Sequence, residues 1–255
     1  MVKDLPPLDW MIELDKIYER LYDNEYFHPI VATIGTEIVG TGIAIVNGTA
    51  AWLGTIIVKE AHRQKGIGRA ITEYLIAYSK ERGKKSILLT ASAMGLPVYK
   101  ALGFEQDVNY LFFRNDAPIA LGSVSPNIVP LAPSDHERIF ALDRSISGEE
   151  RRAVLADAMN TGVIYRDGGI RGYYLPEFGR GLVAAETEDA GVELLRYKLL
   201  HDPAPICLPE TNIAGISFLR SLWYIHYLQN PRMFLEKNVE WKSACIYSRG
   251  CGYMG

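Results

Sequence analysis

The run Arg63-Gln64-Lys65-Gly66-Ile67-Gly68-Arg69-Ala70 constrains this chain more than any other stretch. Before it lies Ala51-Trp52-Leu53-Gly54-Thr55-Ile56-Ile57-Val58, short, apolar and β-branched, the pattern of a buried strand. After it, Ile67, Ile71, Tyr74, Leu75 and Tyr78 recur at three- and four-residue spacing, which predicts a helix. A glycine-containing loop therefore joins a strand to a helix N-terminus. The unpaired N–H groups and positive dipole end of that terminus make an anion site. Arg63, Lys65 and Arg69 sharpen the reading, because cations beside a helix N-terminus are disfavoured unless an anion sits among them. A solvated basic turn is the bland alternative. Neither the Gly-Lys-Ser/Thr of a P-loop nor the Gly-x-Gly-x-x-Gly of a dinucleotide fold is present.

The wider context narrows the choice. The strand ending at Val58, the Arg63–Gly68 loop, a helix, a strand at 86–90 and Tyr99-Lys100-Ala101-Leu102-Gly103-Phe104 follow one another in that order. This succession resembles the GNAT superfamily of N-acetyltransferases. Its Arg/Gln-x-x-Gly-x-Gly/Ala pyrophosphate loop matches at Arg63, Gly66 and Gly68, and its Tyr-x-x-Leu-Gly-Phe segment at Tyr99, Leu102, Gly103 and Phe104. The resemblance covers about residues 31–114. It implies an α/β (α+β) fold with a mixed, mostly antiparallel central sheet flanked by helices. GNAT folds usually begin with a further strand and helix, so on this resemblance the chain is expected to lack the first strand and to close its acceptor pocket differently.

With 255 residues the chain has length for two domains, and 48% hydrophobic with 22% charged residues is ordinary globular composition. A net charge of −3 argues against a general nucleic-acid or membrane-surface role. No apolar run approaches membrane-spanning length and no signal peptide is read, so a cytoplasmic protein is expected. Cys207, Cys245 and Cys251 form no Cys-x-x-Cys pair, and the five histidines show no ligand spacing; reduced thiols and no metal are expected.

In the N-terminal half, residues 8–22 read as an amphipathic helix, followed by strands at 30–34 and 37–46 and a hairpin at Asn47-Gly48. A short helix at 94–102 and a strand at 108–114 close it. Residues 117–133, rich in Pro, Gly, Ser and Asn, read as a linker, giving domains at 1–120 and 127–255. Beyond it, helices are expected at 135–146, 149–160, 190–200 and 213–227, the last with Ile216, Leu219 and Trp223 on one stripe. Strands are expected at 163–166, 169–175, 182–186, 205–208, 233–235 and 244–248. That order repeats the first half, and Leu219 falls opposite Tyr99. Where the Arg/Gly loop should recur stands Thr187-Glu188-Asp189-Ala190, an acidic helix start. The second half is thus expected to be a degenerate GNAT-like domain without coenzyme.

The resemblance also implies chemistry. Acetyl-CoA is the implied cosubstrate, with a free amine attacking its thioester in a ternary complex. The diphosphate is expected on the backbone of Gln64, Lys65, Gly66, Ile67, Gly68, Arg69 and Ala70, with charge from Arg63 and Arg69. The pantetheine arm is expected along Ile56, Ile57 and Val58, with the Val58 N–H polarising the thioester carbonyl. Tyr99 is the implied general acid toward the departing thiolate, although phenol and thiol pKa values of about 10 and 8.5 make that transfer uphill. Residues 51–58 carry no carboxylate, and the base is unassigned. The partners expected are a small-molecule or protein amine, with homodimerisation left open. A non-catalytic acyl-CoA-binding or regulatory protein is the rival, and a nucleotide-phosphate binder a third reading.

Overall fold

A computed structural model of the chain describes residues 2–6, 13–116 and 121–254. In chain order the regular elements begin with α1 (Leu14–Leu21), β1 (Phe27–Ile34), β2 (Glu37–Asn47), β3 (Ala50–Val58), α2 (Ile67–Glu81), β4 (Ser86–Thr90), α3 (Leu96–Ala101) and β5 (Glu105–Arg114). They continue with β6 (Ile128–Pro130), α4 (His136–Ser147), α5 (Arg152–Ala156), β7 (Val163–Arg166), β8 (Ile170–Leu175) and β9 (Leu182–Ala185). The last are α6 (Glu188–His201), β10 (Ile206–Pro209), α7 (Ile213–Ser221), β11 (Ile225–Glu236) and β12 (Ile246–Ser248). The chain divides into two units. One holds residues 1–106, 233–238 and 252–254, and the other residues 107–232 and 239–251.

In the first unit, β1, β2 and β3 form an antiparallel meander. The apolar run of β3 supplies side chains to both faces. Leu53 and Ile56 join Ile71 and Leu75 of α2, whereas Ile57 joins Leu5 and Leu14 in a separate cluster. β4 lies parallel to β3, with Ala50 opposite Ser86 and Leu53 opposite Leu89, and the pairing stops there. From Gly54 onward β3 runs on without β4. The cause is local: Thr55 adopts φ 45°, and the β2–β3 register shifts between Thr41 and Ile43. This inserts a bulge that bends the strand away from its neighbour.

The second unit contains an antiparallel sheet ordered β12-β9-β8-β7-β6. β10 pairs antiparallel with β5. Its core joins Val183, Leu194, Leu195, Ile206, Leu219 and neighbours. A buried ion pair rigidifies it: Arg151 Nε and Nη2 donate to the two oxygens of Asp143 at 2.9 and 2.7 Å, and the Tyr173 hydroxyl donates to the same carboxylate.

Two helices are shorter than their periodicity suggests. α7 stops at Ser221, Trp223 takes φ 62° and is 85% exposed, and Ile225–Tyr227 begin a strand. The stripe of Ile216 and Leu219 therefore does not extend to Trp223. The helix expected over 149–160 is confined to Arg152–Ala156, followed by a tight turn at Met159–Thr161. Of the helix expected over 8–22, residues 8–12 lie outside the described residues; the rest is α1.

Candidate active site

The loop between β3 and α2 is shaped by its backbone. A single 3-10 turn over Glu60–His62 leads to Arg63 in extended conformation. Gln64 then takes φ 61°, and Gly66 φ 81°, so left-handed residues alternate with their neighbours. Such alternation turns successive N–H groups toward a common concavity, a nest for an anion. Gly66 is the N-cap of α2 and provides no side-chain cap, and the first turn of α2 holds no acidic residue. The end of α2 is thus left without the groups that ordinarily satisfy it.

The three cations are differently engaged. Arg63 Nε donates to Val58 O at 3.2 Å, and Lys65 Nζ to Ala61 O at 3.1 Å. Arg69 Nε donates to Glu73 Oε1, 2.8 Å away on the next turn of α2. Arg63 thereby ties the loop to the end of β3.

The exposed edge of β3 follows from hydrogen-bond parity. Lys59 N–H donates to Val39 O on the β2 side. Backbone groups along a strand point alternately to either edge, so the N–H groups of Val58 and Ile56 point to the edge that β4 has left.

A cleft of about 360 Å³ lies over this edge and the loop. Ile56, Ile57, Val58, Arg63, Gln64, Gly66, Ile67, Gly68, Arg69 and Tyr99 all line it; Lys65 and Ala70 do not. His62, Thr72, Ser92, Met94, Gly95 and Val98 line it as well, unforeseen from the sequence. Ser92 had a readable signal, since its Oγ accepts from Gly95 N at 3.2 Å just before α3. His62 faces Glu37 Oε2 at 3.6 Å, a pairing between the turn after β3 and the start of β2 that spacing could not reveal.

Tyr99 sits on α3 with 8% of its surface exposed and meets Phe104 edge-on at 5.9 Å between ring centroids. A Cβ at Gly95 would come within 2.7 Å of the Tyr99 ring, so only glycine lets the ring lie against this backbone. Burial pushes the phenol up to about 12, which keeps it protonated and a hydrogen-bond donor throughout the physiological range. Among the described residues no cluster of three or more His, Cys, Asp or Glu side chains is placed to hold a metal ion. No helix among them is long and apolar enough to cross a membrane.

The second unit offers a contrast at the start of α6. There Thr187 caps the helix, accepting from Ala190 N at 3.4 Å, and Glu188 and Asp189 fill the first turn. Two carboxylates thus stand at the start of α6, where the first turn of α2 has no acidic residue.

Comparison with known proteins agrees with the geometry. The acetyltransferase (GNAT) family model matches residues 3–104. A protein from Pyrococcus horikoshii provisionally assigned as an acetyltransferase superposes with a TM-score of 0.83 at 20% identity, covering 98% of this chain and 87% of its own. A tandem GNAT protein of the clavulanic acid biosynthesis pathway gives a TM-score of 0.61 at 14% identity, over 92% and 91% of the two chains. A GCN5-related N-acetyltransferase from Sphaerobacter thermophilus gives 0.58 at 11%, over 87% and 85%. At these identities the likeness is one of fold, and it runs through both halves. Over residues 3–104 the chain is thus similar to the GNAT family, whose members transfer an acyl group from acyl-CoA to an acceptor.

Proposed function

We propose that the chain is an acetyl-CoA-dependent N-acetyltransferase acting on a primary amine by direct attack in a ternary complex. One observation carries the reading: an uncapped helix end and an anion nest open into the same cleft as the unpaired edge of β3 and the buried phenol of Tyr99. That set suits a diphosphate joined to an extended amide-bearing arm that ends in a thioester.

In this scheme the N–H groups from Gln64 to Arg69 bind the diphosphate, with Arg63 and Arg69 adding charge. The edge groups of Ile56 and Val58 pair with the pantetheine amides, and the Val58 N–H polarises the thioester carbonyl. The amine nitrogen forms a bond to the carbonyl carbon, the carbon–sulfur bond breaks, and the sulfur leaves with the electron pair. Tyr99 donates a hydrogen bond to that sulfur. With a phenol pKa of about 12 against about 8.5 for a thiol, it stabilises the thiolate rather than surrendering its proton outright. The surplus amine proton leaves through water, because neither β3 nor β4 carries a carboxylate.

We further propose that residues 127–255 form a degenerate GNAT-like domain that binds no coenzyme, on the strength of the acidic, self-capped start of α6. A free-thiol assay with an amine panel tests the main reading. Amine-dependent release of coenzyme A is expected. Tight acetyl-CoA binding with no amine-dependent thiol would instead support the non-catalytic acyl-CoA-binding role.

A further inference from the structure

In the first unit β3 parts from β4 after Leu53, and the cleft lies over the edge left open, between the starts of α2 and α3. The second unit repeats those elements in order as β9, α6, β10 and α7. Its counterpart of the open edge is filled. β12 pairs antiparallel with β9, Ile246 opposite Ala184 and Ser248 opposite Val183. On the other side Arg249 N–H donates to Cys207 O of β10 at 2.7 Å. A three-residue strand thus stands in the gap between β9 and β10.

The surroundings are shaped to hold that strand. Tyr247, 2% exposed, lies across the starts of both helices. A Cβ on Gly191 of α6 would come 2.0 Å from its ring, and one on Gly215 of α7 would come 3.2 Å from it. At Gly191 the ring therefore rests on bare helix backbone, an approach that any side chain would prevent. Asn212, the N-cap of α7, accepts from Gly215 N at 2.7 Å through Oδ1 and donates from Nδ2 to Ile246 O at 2.8 Å. One amide thus caps the helix and grips the strand. The Ser248 hydroxyl donates to Gly181 O at 2.8 Å, just before β9. Main-chain hydrogen bonds along the edges, with a pocket for one side chain, are how an added strand is recognised.

We propose that the gap between β9 and β10 is a binding site for an extended peptide bearing an aromatic ring, occupied in this chain by its own residues 246–249. The proposal rests on the reading of residues 127–255 as a GNAT-like domain without coenzyme, and it supplies a cause: the place of a coenzyme arm is already taken. Glu188 and Asp189 at the start of α6 suit this occupant, which brings no phosphate. Because the segment is tethered, its effective concentration is on the order of millimolar, so a micromolar peptide in solution does not displace it.

The test is fluorescence anisotropy of a labelled peptide of residues 243–250 with the full-length wild type, Tyr247→Phe and Tyr247→Ala, under reducing conditions. Acetyl-CoA is titrated calorimetrically into the same proteins. Losing the ring weakens the tethered strand and leaves its pocket empty, so Tyr247→Ala is expected to bind micromolar peptide saturably. Wild type and Tyr247→Phe are expected to bind none. The same peptide carrying Tyr247→Ala is expected to bind about 100-fold more weakly, as for loss of a buried aromatic ring. The site is overturned if folded Tyr247→Ala binds no peptide, if the wild type binds it equally well, or if the two peptides bind alike. Should Tyr247→Ala not fold, Tyr247→Leu is measured against the same criteria. One acetyl-CoA per chain without peptide binding sinks this proposal alone. Two acetyl-CoA per wild-type chain sink the coenzyme-free reading of the second unit, and this proposal with it.

Discussion

Tyr99 brings a buried phenol to the wall of the cleft, and its burial has two measurable consequences. Its phenol is raised from about 10 in the unfolded chain to about 12 in the folded one. The folded state therefore holds this proton more tightly. The associated stability is fully present below pH 10 and is lost as the pH rises through 12. Tyr99→Phe should remove that dependence, so that the mutant loses roughly 2–3 kcal/mol less than the wild type between pH 10 and 12, read by chemical denaturation. If Tyr99 also steadies the leaving thiolate, Tyr99→Phe should lower kcat by about 100-fold while leaving the KM for acetyl-CoA nearly unchanged. Gly95→Ala should mimic part of this loss, because its Cβ would displace the ring. A kcat for Gly95→Ala equal to wild type would show that the placement of the ring is unimportant.

At the scale of elements, the two comparable helix starts behave as opposites. α2 begins with a bare glycine N-cap, and α6 with a threonine cap and two acids. Thr187→Ala should cost about 1 kcal/mol of stability in urea unfolding, as loss of a helix cap does. In the second unit the Asp143–Arg151 pair is only 2% exposed on either side, so Asp143→Ala leaves a buried guanidinium without its carboxylate. That change should cost about 3–5 kcal/mol and act through folding alone. Sequence legibility divides along physical lines. The Arg63–Gly68 loop was readable because a strand precedes it, a helix follows it and the Tyr99 segment comes after them in order; alone it would pass for a solvated basic turn. The β3 bulge was not, since Thr55 is an ordinary strand residue by type and reaches a positive φ only through tertiary context. The contact of Tyr253 with Gly54 spans some two hundred residues, beyond any local pattern. α7 was over-extended because Trp223 continues the apolar spacing of Ile216 and Leu219 after the backbone has already turned.

For the whole molecule, one coenzyme site is expected in a chain of two units. Calorimetric titration with acetyl-CoA should give one site per chain; two equivalent sites would show that the start of α6 is no barrier. The central claim is that the start of α2 is the coenzyme cradle, and Gly68 is the position to probe it. A Cβ there meets only Val58 Cγ2 at 3.6 Å, an ordinary contact, and an acidic side chain in the first turn of a helix favours folding. Gly68→Glu should therefore fold as well as the wild type while placing a negative charge where the diphosphate binds. Thermal unfolding of both proteins with and without acetyl-CoA is the direct measurement. Ligand at 100 times its Kd adds about 2.7 kcal/mol, a rise of roughly 5–10 °C in Tm for a chain of this size. That rise is expected in the wild type and none in Gly68→Glu. An equal rise in both, or none in the folded wild type, would contradict it.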